Sequence, residues 1–184
     1  THARVVARRG RAKDLRDVLG WSLPFARGAI DPEIVAALGK IDALEARGDL
    51  LKSAVRVSSL DDDLFLHSAF PTTQADAVFF GPDSYRFASF IRAELPRLGT
   101  RGRIADIGTG SGVGGIAVAR TLSGSCEPPR KWPAIVFNDI NPTALEFAID
   151  HPRRQWETDS NMIWEIARNG WWWRGVEPVP NKRD

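Results

Sequence analysis

Five glycines fall within the eight residues from Gly108 to Gly115, in the run RIADIGTGSGVGGIAVAR that spans residues 103 to 120. An acid precedes them with the spacing Asp106-x-Gly108-x-Gly110-x-Gly112, and a second acid, Asp139, ends the run AIVFND. Glycine lets a chain turn from a strand straight into a helix while leaving bare backbone for a ligand to approach. The helix beyond aims unpaired N–H groups and the positive end of its dipole at that ligand. An acid at the tip of the next strand then offers two acceptor oxygens to the hydroxyls of a ribose. The chemistry implied is the binding of a nucleotide-like molecule.

Two ligand classes meet these requirements. Gly110, Gly112 and Gly115 satisfy G-x-G-x-x-G, and Asp139 lies 24 residues beyond Gly115, near the ~20 of the dinucleotide fingerprint. That reading leads to a nicotinamide- or flavin-dependent oxidoreductase. Asp106 favours a different ligand, because its carboxylate repels a pyrophosphate and attracts an amino group or a sulfonium centre. The charge points to S-adenosyl-L-methionine.

Such a loop has to be held by a parallel strand pair, and the neighbouring sequence supplies one. RIADIG reads as a buried strand, VGGIAVARTL as the helix after it, AIVFND as a second strand and NPTALEFAID as a second helix, the opening of a parallel α/β sheet. Upstream, VFFGPDSYRFASFIRAELPRLG carries a turn at Gly81 and Pro82, a cap at Asp83 or Ser84, and a helix that Pro96 should end near Leu95. SAVRVSSLDDDLFLHSAF reads as a hairpin around Asp61, Asp62 and Asp63. Those adjacent carboxylates suit a solvated turn better than a cation loop, whose ligands alternate. His67, without an acid at catalytic spacing, reads as structural. Before the hairpin, AKDLRDVLGW and DPEIVAALGKIDALEARG read as helices, the second capped by Asp31, with Leu44 on its apolar face and a stop at Gly48.

Composition narrows the class further. The 184 residues, 43% hydrophobic and 26% charged, suit one globular domain with a modest appendage. A net charge of +2 gives no global signal for nucleic acid, and the basic start (Arg4, Arg8, Arg9, Arg11, Lys13) reads as a solvated end. The lone Cys126 makes no internal disulfide and belongs to no zinc-type cluster, so cytoplasmic localisation is the expectation. No apolar run approaches the ~20 residues of a membrane span and no leader pattern opens the sequence, which predicts a soluble protein.

IADIGTGSG resembles the first motif of class I S-adenosylmethionine-dependent methyltransferases. FNDINPTALEFA resembles their acidic second-strand segment, and DAVFFGPDSYRF is similar to the segment before the first strand in HemK-like and small-domain N-methyltransferases. The likeness covers roughly residues 53 to 149. It implies an α/β, Rossmann-like class I methyltransferase fold, with Asp106 and the backbone around Gly108, Thr109, Gly110 and Gly112 holding the methionine end of the cofactor. Asp139 would take the ribose hydroxyls and Ile140 the adenine face, while Asn141 would either touch the adenine edge or cap a helix before Pro142. Pro82, Asp83, Ser84 and Tyr85 would either lie over the pocket or form a cap and a packed aromatic. Arg86 would either hold the cofactor carboxylate or make a surface ion pair. The methyl acceptor implied is a nitrogen of a protein, a nucleic acid or a small molecule.

The sequence departs from that pattern downstream. The Asn-Pro-Pro-Tyr type motif that grips the target nitrogen in those N-methyltransferases is absent, and the adjacent pair Pro128 and Pro129 sits in the loop before the second strand. Residues 151–184 hold five of the seven tryptophans and show no strand-like run, though DSNMIWEIARNG could form a helix capped at Asp159 or Ser160 and stopped at Gly170. The division expected is a helical segment over 1–52, a hairpin and cofactor-binding core over 53–150, and an atypical tail over 151–184. The second helix is expected to break near Ile149, with the tail a shifted reading frame or a truncation. Two strands alone leave a raw sheet edge that a partner chain could complete.

Overall fold

The computed structural model describes residues 10–98, 103–124, 134–155, 164–168, 171–174 and 177–179. Arg4, Arg8 and Arg9 of the basic start, and the loop with Cys126, Pro128 and Pro129, lie outside the described residues. The chain is mixed α/β and divides into two compact units, Thr1–Ala77 and Val78–Asp184.

In the first unit α1 (Leu15–Trp21) begins at Asp14, whose side chain accepts from Asp17 N, and ends at Ser22 in the left-handed conformation. Helix α2 (Pro32–Lys40) is capped by Asp31 as its sequence predicts, but it stops eight residues short of Gly48. Asp42 turns left-handed at φ 52, and Leu44 enters strand β1 (Leu44–Arg47) instead of extending the helix face. β1 pairs antiparallel with β2 (Leu50–Ser53), Arg47 facing Leu50, so Gly48 and Asp49 form a hairpin turn. Phe25 locks the arrangement by exchanging backbone hydrogen bonds of 2.7 and 2.8 Å with Leu51. Val18, Leu23, Phe25, Ile30 and Leu51 form the core.

The expected hairpin follows as β3 (Val55–Leu60) and β4 (Asp63–Ser68). Its turn is Asp61 and Asp62, while Asp63 is buried in the strand. His67 is buried too, its Nε2 sharing a 2.9 Å hydrogen bond with Ser58 Oγ. The hairpin packs within the first unit, against α1.

The second unit carries α3 (Pro82–Leu98), β5 (Arg103–Ile107), α4 (Val113–Ser123), β6 (Ala134–Asn138) and α5 (Pro142–Gln155). Pro96 does not end α3; it sits in the last, exposed turn. β5 and β6 pair in parallel, Asp106 beside Phe137. Helices α4 and α5 close over them through Val118, Ala119, Phe137, Leu145 and Ala148, with Ile91 and Leu95 of α3 against the same cluster.

The tail departs from its expectation. α5 continues through Ile149 to Gln155, and residues 164–168 form strand β7 (Trp164–Arg168), not a helix. β7 pairs in parallel with β6, then β8 (Trp171–Arg174) and β9 (Glu177–Val179) extend the sheet antiparallel. Aromatic and β-branched residues favour the extended backbone, which is why the tryptophan run makes a strand. The sheet has five strands in the order β5-β6-β7-β8-β9, with β5 at its edge among the described residues.

Candidate functional site

The glycines serve two separate needs. Gly108 N and Thr109 N both donate to Asn138 O, at 2.8 and 3.2 Å, and so tie the loop to the end of β6. Gly108, Gly110 and Gly112 take φ of 71, 54 and 85, a left-handed alternation that strains residues with side chains. A Cβ on Gly108 or Gly110 would meet nothing within 4 Å, so this bare backbone faces open space. Gly114 and Gly115 are bare because α4 lies close to the sheet. A Cβ on Gly114 would come 2.6 Å from Asp106 Oδ1, and one on Gly115 would strike the Phe137 ring.

Both acids are built into the loop. Asp106 Oδ2 accepts from Thr109 Oγ1 and from Gly115 N, each at 2.8 Å. Burial pushes the Asp106 carboxyl above its usual range, the nearby Asp139 charge adds to the rise, and the Thr109 and Gly115 hydrogen bonds oppose it. Oδ1 of Asp106 takes no hydrogen bond among the described residues. Asp139 accepts Gly110 N on Oδ2 and Asn141 N on Oδ1, both at 2.9 Å. Each oxygen keeps a lone pair for a further donor. Asn141 Oδ1 accepts Thr143 N at 3.0 Å, the geometry of a helix cap. Ile140 is 99% exposed.

A cavity of about 320 Å³ lies over the loop. Asp106, Gly108, Thr109, Gly110 and Ser111 line one wall; Phe79, Asp83, Ser84 and Phe87 line the other. No lysine, arginine or histidine is among its lining residues. The Ser111 hydroxyl is buried without a hydrogen-bond partner among the described residues.

The structure thus brings Asp106, Gly108, Thr109 and Gly110 to one cavity, with Asp83 and Ser84 opposite. Gly112 shapes the loop from behind, where an added Cβ would press on Ala148 of α5 at 3.2 Å. Asp139, Ile140 and Asn141 flank the cavity at the end of β6 without lining it. Arg86 is exposed and outside the lining, and Tyr85 sets its ring edge-on to Phe80 at 5.1 Å. Sequence reasoning missed Phe79, Phe87 and Ser111. The signal for Phe87 was its spacing of four from Asp83, which puts both on one helix face.

Among the described residues no group of three or more metal-ligating side chains is assembled, and no helix is long and apolar enough to cross a membrane. The chain matches no protein-family model and no curated protein.

Proposed function

We propose that the second unit is an S-adenosylmethionine-binding domain of the class I methyltransferase type, and that it transfers a methyl group to nitrogen. The observation that carries this reading is how the loop's N–H groups are used. Two N–H groups of the loop, Gly115 N and Gly110 N, donate to the carboxylates of Asp106 and Asp139 and so are taken up within the protein instead of facing an anion. The cavity wall left behind is acidic and holds no basic side chain. An ammonium and a sulfonium are attracted to such a wall, while a diphosphate is repelled. The bare faces of Gly108 and Gly110 offer room that any side chain would fill.

In this reading Asp106 and the backbone of Gly108, Thr109 and Gly110 hold the amino-acid end of the cofactor. Asp139 accepts from the ribose hydroxyls, and Ile140, bare to solvent, lies against the adenine. Asn141 holds the start of α5, and Arg86 is available only to a ligand group reaching out of the cavity. The cofactor supplies an activated methyl group with its own leaving group, so the chain's task is to hold the acceptor in line with it. Parallel pairing of β5, β6 and β7 around crossover helices supports the Rossmann-like arrangement. The edge of β5, unpaired among the described residues, supports a partner chain that completes the sheet.

A second reading, a dinucleotide oxidoreductase, rests on the match of Gly110, Gly112 and Gly115 to G-x-G-x-x-G. A third, a binding domain without turnover, rests on the missing Asn-Pro-Pro-Tyr type motif. Calorimetric titration with S-adenosylmethionine and with NAD separates the first two. Saturable binding of the former alone supports the proposal, and binding of NAD alone overturns it. Methyl transfer to a panel of amines then distinguishes an enzyme from a binding domain.

A further inference from the structure

The wall of the cavity opposite the glycine loop has a chemistry of its own. Asp83, in the first turn of α3, makes no ion pair or hydrogen bond through its side chain among the described residues. Phe79 and Phe87, on either side of it in sequence, line the same cavity while remaining 55% and 49% exposed. Two half-exposed phenylalanine rings lining one cavity give a ligand an apolar surface to cover.

Gly81 shows how closely these groups are gathered. A Cβ there would lie 2.5 Å from Phe79 Cε1 and 3.3 Å from Asp83 Oδ1. Ring and carboxylate therefore converge over one bare Cα, and only glycine leaves both in place. Ser84 Oγ accepts Gly81 N at 3.3 Å and fixes the turn. Phe87 follows Asp83 by four residues and so extends the same face of α3.

A carboxylate flanked by aromatic faces is the recognition chemistry of an organic ammonium, which takes a charge-assisted hydrogen bond from one group and cation–π attraction from the others. The charges facing this space are Asp83 from α3 and Asp106 from β5, both acidic. That pairing disfavours a net-anionic ligand such as a nucleic acid. Asp106, tied to Thr109 and Gly115, belongs to the opposite wall.

We infer that Phe79, Asp83 and Phe87 form a subsite for a second ligand, an organic ammonium carried on an apolar or aromatic group. The inference rests on the methyltransferase reading only in taking the glycine-loop wall as the cofactor's. If that reading holds, the acceptor is an amine that binds as the ammonium and loses a proton to solvent before its nitrogen lone pair attacks the methyl group, with S-adenosylhomocysteine leaving.

The test is calorimetric titration of the full chain with benzylammonium and, separately, with benzoate, each with and without saturating S-adenosylhomocysteine. Benzylammonium should bind under both conditions, with benzoate at least about tenfold weaker. Asp83→Asn should weaken benzylammonium about tenfold or more, from loss of a charged acceptor, and Asp83→Glu should restore most of it. Phe87→Leu should weaken it about two- to fivefold. Absence of benzylammonium binding, or equal affinity in Asp83→Asn, overturns the inference. So does competition with S-adenosylhomocysteine, because the ammonium site would then be the cofactor's own. Asp83-dependent binding of benzylammonium by a chain that binds neither S-adenosylmethionine nor S-adenosylhomocysteine upholds the subsite and removes the methyltransferase reading.

Discussion

Acidifying the protein from pH 7 should destabilise the first unit through His67. The side chain is 1% exposed, and burial, with the Arg56 charge adding to it, lowers its pKa from 6.5 to about 4; the Ser68 backbone hydrogen bond opposes this weakly. A histidine held neutral in the fold must bind its proton on unfolding, so the unfolded state carries more protons between the two values. Stability therefore rises with pH across this window and is lost as pH falls from about 6.5 towards about 4. Linkage over those two values gives a loss of about 2 kcal/mol at pH 5 and about 3 kcal/mol at pH 4, a large fraction of the stability of a domain this size. Urea unfolding at pH 7 and pH 5, followed by hydrogen exchange of the β3 and β4 amides, measures the loss. His67→Gln keeps a partner for Ser58 Oγ and removes the titration, so its pH dependence should be flatter by the same amount. NMR of the His67 ring gives the midpoint directly. A midpoint at or above 6.5, or a His67→Gln variant with the wild-type pH dependence, would refute the reasoning.

The loop and its two acids yield four further predictions. Gly108→Ala should cost about 1–2 kcal/mol from its left-handed φ and abolish cofactor binding by filling the bare face. Gly114→Ala should instead cost about 1–3 kcal/mol of stability, because the carboxylate of Asp106 must give way; thermal melts and titrations of both variants separate the effects. Asp139→Ala should weaken S-adenosylmethionine binding by about 1.5–3 kcal/mol through loss of a charged acceptor, as read by calorimetry. Asp106 titrates in the opposite sense to His67. Its raised pKa means that the folded state holds the proton more tightly, so its contribution to stability is full below 3.8 and is lost as pH rises through the raised value. Asp106→Asn should flatten that slope in unfolding monitored through the amides of α4.

The pattern of glycines, acids and alternating runs made much of the second unit legible before any coordinates. The strand, loop, helix and strand around Gly108 were readable because each has a local signature: a short apolar run, a glycine cluster or a 3.6-residue period. The 55–68 hairpin was readable from two β-rich runs about an acidic turn. Leu44 was misplaced because IDALEARG satisfies a helical period, whereas the hydrogen bonds between Phe25 and Leu51 that favour an extended chain join distant residues. The tryptophan strand was missed for a related reason, since β8 takes its register from β7 and carries no alternation of its own. Within the site, residue types revealed Asp106 and Asp139 but not that Gly110 N and Gly115 N would occupy them. The role of Gly114 depends on the carboxylate behind it, which spacing alone does not show.

The two units differ in how far along the chain their partners lie. In the first, β1 with β2 and β3 with β4 close across two-residue turns, so pairing begins among near neighbours. In the second, β5 cannot meet β6 until the whole of α4 and the residues up to Ala134 have been laid down. Closing a long crossover before any ladder bond forms is slow. On the ribosome the first unit therefore has its native partners in hand while the second still presents an unpaired β5, and that interval is when the chain is most exposed to edge-to-edge association.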